Sequence, residues 1–138
     1  MKITNPQTIL LLEKEIETKS IESLSQYTQK MKTTKVYKKA FNRGQARIWI
    51  EGSILISHGL YNGLRFTKER IDDDELLLSF AASFPEGIKS NKIAGTLDRP
   101  IIDMTGKWLT EFFGDAEKYT CQFDEETKTI TIIRGGLV

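Results

Sequence analysis

The sequence predicts an α+β protein, in which a helical N-terminal arm leads into a pseudo-twofold β barrel built from two β-α-β-β repeats. Three observations support this fold class. A strand pattern that ends in glycine occurs twice, at residues 47–52 and 101–106, about 54 positions apart. Each copy continues with a short apolar helix pattern and then a hairpin pattern. The residues before the first copy instead place apolar side chains at helical spacing.

The helical arm is predicted over residues 1–45. Asn5 can cap a first helix, because asparagine is a favoured N-cap and Pro6 is tolerated at the first helical position. Ser20 can cap a second helix with apolar residues near helical spacing. These segments lead directly into the first repeat.

A third, short helix is predicted over residues 34–41. On a helix, Lys35, Lys38, Lys39 and Asn42 would share one face. The aromatic and aliphatic residues between them would occupy the other face. This helix would therefore present a row of cations to solvent.

The β domain is predicted over residues 46–138, with its two copies at 46–80 and 100–134. In the first strand, alternation puts Ile48 and Ile50 on one face, and we expect that face to point to the core. Each copy alone exposes an apolar sheet face, so the copies are expected to pack on each other as a closed barrel without free strand edges. The side chains expected to be buried are Ile48, Ile50, Leu55, Ile102, Trp108, Leu109 and Phe112.

The order of strand, glycine, leucine, short helix, glycine and hairpin resembles the SymE and AbrB family of swapped-hairpin β domains. The residues that carry the resemblance are 48–55 with Gly59 and Gly63, and 102–109. It implies a swapped-hairpin barrel and a role as a small DNA-binding regulator. The chain departs from the family in carrying both copies itself, and in having Asp103 where the first copy has Trp49.

No catalytic constellation is predicted. His58 and Cys121, the only histidine and the only cysteine, could form a base and nucleophile pair, but a buried strand cysteine and a histidine at a helix end are favoured. The single histidine also excludes a metal site with several histidine ligands. We therefore predict that the protein is not an enzyme, with no catalytic residues, no metal and no cofactor.

The acidic residues are predicted to have structural roles. The run at residues 72–75 lacks the glycine and the ligand spacing of a calcium loop, so a solvated hairpin turn is favoured. Asp98 and Asp103 could form a carboxylate pair, but a surface salt bridge with Arg99 explains them equally well.

Three features bear on the compartment. No run of 18 apolar residues is present, and the first residues lack the pattern of a signal peptide. A single cysteine cannot form an internal disulfide. The sequence therefore predicts a cytoplasmic protein with no membrane partner.

The distribution of charge gives the clearest functional signal. The net charge is only +1, yet residues 23–50 hold seven basic side chains and no acidic one. Such a segment would neutralise phosphates and bind nucleic acid with little sequence preference. Trp49, on the outward face of its strand, is a second contact candidate, although packing against the N-terminal helices explains it as well. The predicted nucleic-acid-binding residues are Lys32, Lys35, Lys38, Lys39, Arg43, Arg47 and Trp49.

Two functions follow from these patterns. The first is a small non-catalytic DNA-binding protein of the AbrB and SymE type, which contacts the phosphate backbone of duplex DNA with weak sequence preference. The alternative is a protein-interaction module, such as a phage or mobile-element accessory or inhibitor, that docks on an enzyme or nucleoprotein complex. In that case the acidic turns at 72–74 and 124–126 would matter as much as the lysines.

Overall fold

The computed structural model describes residues 32–136. Within this part, the elements in chain order are β1 (Lys32–Lys38), β2 (Ala40–Asn42), β3 (Gln45–Glu51), α1 (Ser53–Ser57), β4 (Arg65–Asp72), β5 (Glu75–Ala81), β6 (Asn91–Lys92), β7 (Ala94–Gly95), β8 (Pro100–Thr105), α2 (Lys107–Phe113), β9 (Lys118–Asp124) and β10 (Thr129–Arg134). The protein is mostly β over this range. Neither of these two helices is long and apolar enough to cross a membrane.

The strands form two antiparallel sheets. The large sheet has the order β1-β9-β10-β5-β4-β6, and the small sheet has the order β2-β3-β8-β7. Alternate residues of both sheets are buried in one hydrophobic core, to which the two short helices also contribute. Neither sheet closes, so the predicted barrel is wrong. The apolar faces are covered by the opposite sheet and the helices, and burial therefore does not require the sheet edges to meet.

The predicted helical arm is also wrong where the structure describes it. The third helix, predicted over residues 34–41, is replaced by β1 and β2. The segment is rich in β-branched and aromatic residues, which favour a pleated strand. All seven residues of β1 also pair with β9, and a surface helix would lack this interstrand pairing. The helices predicted within residues 1–31 lie outside the described residues.

The strand pairing has a pseudo-twofold pattern. Both strand orders read the same when β1–β5 are exchanged for β6–β10. At the centre of the small sheet Trp49 lies opposite Asp103, and at the centre of the large sheet Leu77 lies opposite Thr131. The partners in each pair are 54 positions apart, which is the spacing found in the sequence. The repeat therefore includes β1–β2 and β6–β7, and it begins before the predicted starts at residues 46 and 100.

The core agrees with most of the burial predictions. Leu55 and Leu109 occupy equivalent positions in the two helices, and both are fully buried. The predicted isoleucines and Phe112 are buried as well. Trp108 is the exception, because its side chain remains 37% exposed at the surface of α2. The prediction that Trp108 belongs to the core is therefore wrong.

Candidate functional site

Strand β1 distributes the predicted cations over two faces of the large sheet. Lys35 lies opposite the buried Cys121, on the side that faces the core. Lys38 lies opposite Lys118, on the outer side. The prediction that Lys35 and Lys38 share a face with Lys39 and Asn42 is wrong, because neighbouring side chains alternate along a strand.

Arg47 and Trp49 lie side by side, but their polar groups form hydrogen bonds to carboxylates of the same chain. Arg47 donates from Nε and Nη2 to the two carboxylate oxygens of Asp103, at 2.8 and 2.9 Å. Its guanidinium lies 4.4 Å from the centre of the Trp49 ring. The Trp49 indole donates to Glu51 at 2.8 Å, and Arg99 donates to the same oxygen at 2.7 Å. These hydrogen bonds lower the pKa of Glu51, that from Trp49 foremost.

The other predicted cations are dispersed. The Lys39 Nζ lies 5.3 Å from the centre of the Phe41 ring and 5.4 Å from that of Phe113. Arg43 is exposed in the turn between β2 and β3, with a positive φ of 54°. Lys32 lies at the other end of β1, with its Nζ 4.0 Å from a carboxylate of β9. No single surface therefore gathers all seven predicted residues.

A different basic arrangement lies on the outer face of the large sheet. Lys38 is directly opposite Lys118 in the β1–β9 pair, and Arg65 is directly opposite Lys92 in the β4–β6 pair. We call these the two basic pairs. They occupy pseudo-twofold positions at diagonally opposite corners of the sheet, four strand spacings across and eight residues along the strands, or roughly 33 Å apart.

Each basic pair is electrostatically unfavourable by itself, since like charges directly opposite one another destabilise a sheet. The ion pairs within residues 32–136 use other cations. Arg65 donates instead to the side chain and carbonyl of Ser90, at 2.7 and 3.0 Å. An anion bound at each pair would offset the repulsion, so the two basic pairs form the candidate site.

The surface between the basic pairs mixes hydroxyl and amide side chains with apolar and acidic ones. The hydroxyl and amide side chains that face outward in the central strands include Thr67, Ser79, Gln122, Thr129 and Thr131. Such groups can donate hydrogen bonds to phosphate oxygens. The apolar Leu77, Ile133 and Ile71 and the acidic Glu69, Glu75 and Asp124 interrupt this face. The face therefore favours an anion at its two basic edges more than at its middle.

His58 and Cys121 lack the features of an activated pair. His58 is buried, with Nε2 2.8 Å from the Thr33 hydroxyl and its ring 5.3 Å from that of Phe123. Burial lowers the pKa of His58, although two nearby carboxylates oppose the shift. Burial raises the pKa of the Cys121 thiol, which works against thiolate formation.

The acidic residues adopt structural roles in the described part of the chain. The acidic run at residues 72–75 spans the turn between β4 and β5, where the Asp74 amide donates to Asp72 Oδ1 at 2.8 Å. Asp74 also pairs with Arg134. Across residues 32–136, no group of three potential ligand side chains is placed to hold a metal ion.

Comparison with known proteins returned no match: no family model, no curated protein and no solved structure is similar to this chain. The resemblance to the SymE and AbrB family stays a prediction from the sequence.

Proposed function

We propose that this chain is a non-catalytic nucleic-acid-binding protein, which contacts the phosphate backbone of duplex DNA through the outer face of its large sheet. The observation that supports the proposal is the presence of two basic pairs at pseudo-twofold positions on that face. We retain the predicted cytoplasmic setting, since the one cysteine is buried and unpaired.

The geometry suits a backbone ligand. Two basic corners roughly 33 Å apart are separated by about one helical turn of duplex DNA, so each can approach the phosphate backbone. Phosphate contacts position a protein without reading bases, so the expected sequence preference is weak. Lys38 is retained from the predicted contact residues, whereas Arg47 and Trp49 have intramolecular partners. Lys118, Arg65 and Lys92 are added.

The test compares the salt dependence of DNA affinity. A variant with Lys38→Ser, Lys118→Ser and Lys92→Ser loses three expected contacts, and the log–log salt slope should become shallower by roughly 2.7, at about 0.9 per contact. Arg65 is left in place because it holds Ser90. Fluorescence anisotropy with a generic 20-base-pair duplex gives the slope.

The matched control is Lys107→Ser with Lys128→Ser, since these exposed lysines lie outside the basic pairs. The salt slope of the control should differ from that of the unchanged protein by less than about 0.9, the value for one phosphate contact. An equal loss in both variants would mean that binding is a diffuse charge effect. An unchanged slope in the triple variant would refute the proposed site.

A further inference from the structure

The pseudo-twofold pattern is broken at one place in the large sheet. Strand β1 pairs with β9 over seven residues, from Lys32 to Lys38. Its counterpart β6 pairs with β4 only at Arg65 and Phe66. In the described part of the chain, residues 67–72 of β4 therefore have a neighbouring strand on one side only.

The backbone groups on the open side belong to Lys68 and Arg70. The Phe80 amide donates to the Lys128 carbonyl at 3.0 Å and so points away from β4. Phe66, which lies opposite Phe80, therefore directs its own N–H and C=O groups away from β5. Alternate residues of a strand direct their backbone groups to the same side, so the residues two and four positions after Phe66 do so too. Lys68 and Arg70 thus present N–H and C=O groups to the side of β4 on which no strand from residues 32–136 lies.

The side chains of the same two residues line a groove of about 380 Å³ between β4 and α2. The Lys68 Nζ lies 5.1 Å from the centre of the Trp108 ring, and the Arg70 guanidinium lies 5.5 Å from that of Phe112. Burial, and secondarily the charge of Lys89, lowers the pKa of Lys68. The groove is therefore lined by two cationic side chains and a partly exposed tryptophan.

The equivalent position beside β9 shows how such a groove is filled. There β1 supplies Thr33, whose hydroxyl lies 2.8 Å from His58 Nε2, and Lys35, which lies opposite Cys121. The segment that would correspond to residues 32–36 in the second repeat is 86–90. That segment turns instead, with the amide of residue 88 donating to the carbonyl of Pro85.

We infer that the open side of β4 binds an extended acidic segment of a partner protein, which adds as an antiparallel strand alongside residues 67–72. The β1–β9 pair supplies the geometry, in which main-chain hydrogen bonds hold the strand and alternate side chains enter the groove.

Charge complementarity defines the partner segment. Two of its side chains, two residues apart, lie opposite Lys68 and Arg70, so carboxylates at both positions make favourable cross-strand pairs. In this arrangement the methylene groups of the partner's acidic side chains contact Trp108. Three carboxylates of the chain compete. Asp73 lies 3.8 Å from Arg70 but is 96% exposed, so it can move into solvent, and Glu69 and Glu111 line the groove.

The test uses the full chain and two blocked heptapeptides of identical composition. In Thr-Val-Glu-Thr-Glu-Val-Thr both glutamates lie on one strand face, whereas in Thr-Val-Glu-Glu-Thr-Val-Thr they lie on opposite faces. At millimolar concentration the first should bind at least fivefold more tightly. Its binding should shift the amide NMR signals of Lys68 and Arg70 and slow their hydrogen exchange.

A charge exchange provides the decisive control. Lys68→Glu with Arg70→Glu should reverse the preference, so that the variant selects the first peptide with lysine in place of both glutamates. Lys38→Glu, on the outer face, should leave the peptide preference unchanged. Equal binding of the two glutamate peptides, or no protection of the Lys68 and Arg70 amides, overturns the inference.

Two other occupants have distinct signatures. Protection of the same amides without peptide, together with a concentration-dependent dimer in light scattering, would assign the edge to a second copy of this chain. If duplex DNA displaces the peptide from Lys68 and Arg70, the open side of β4 is a nucleic-acid site. Either result contradicts the inference, and neither depends on whether the two basic pairs bind DNA.

Discussion

The substitution Lys38→Glu should raise stability and lower DNA affinity together. In the folded protein Lys38 lies directly opposite Lys118, and both side chains are exposed. The change removes a like-charge contact and creates an opposite-charge contact, each contributing about 0.2–1 kcal/mol. The expected gain in the free energy of unfolding is therefore about 0.4–2 kcal/mol, reduced as salt screens the pair. Urea denaturation at 50 mM and 200 mM salt measures both effects.

The same variant should bind duplex DNA more weakly, with a salt slope shallower by at least about 0.9 for the lost phosphate contact. Lys35→Glu is the matched comparison, because Lys35 is on the same strand but faces Cys121. Its Nζ lies 5.2 Å from the centre of the Tyr37 ring, so its loss should cost about 0.5–1 kcal/mol and leave the salt slope nearly unchanged. If Lys35→Glu changes the slope as much as Lys38→Glu does, the assignment of the outer face is refuted.

The remaining predictions concern the core and pH. Leu55→Ala and Leu109→Ala should each cost roughly 2–5 kcal/mol, since both side chains are fully buried at equivalent positions, and denaturant midpoints that barely move would contradict the packing. The free energy of unfolding should fall as pH drops below about 6.5, because burial depresses the pKa of His58 in the folded state and the unfolded state then binds the proton more readily. His58→Gln should abolish that part of the pH dependence, and a decline of the same size in the variant would show that other groups cause it.

Much of the repeat could be predicted from the sequence. The glycines that follow β3 and β8 have positive φ angles of 89° at Gly52 and 150° at Gly106, which L side chains rarely adopt. Alternating apolar residues marked the strands on either side. The pattern identified the order β-α-β-β in both copies, but it could not show whether the sheets close, since that depends on how the end strands pair.

The first two strands were missed for a physical reason. Lysine is compatible with both helix and strand, and a cation every three or four residues imitates one face of a helix. The 54-residue spacing held the missing signal, because it aligns Lys35, Lys38 and Ala40 with Lys89, Lys92 and Ala94. Extending the repeat toward the N-terminus would have placed these residues in the repeat unit rather than in a helical arm.

The site was less accessible to sequence reasoning than the fold. Lys38 and Lys118 are 80 positions apart and become neighbours only through the β1–β9 register. Arg47 and Trp49 had the composition of a contact surface, yet their intramolecular partner Asp103 is supplied by the other repeat. Charge content is visible in a sequence, whereas the pairing that neutralises or concentrates it is a property of the sheet.

The most direct test of the central claim is an amide chemical-shift map of the full chain titrated with a short duplex at 50 mM salt. The proposed interface predicts the largest shifts at the outer face of the large sheet, centred on Lys38, Lys118, Arg65 and Lys92. Shifts confined to the Arg47 cluster of the small sheet, or no shifts at all at this salt concentration, would contradict it.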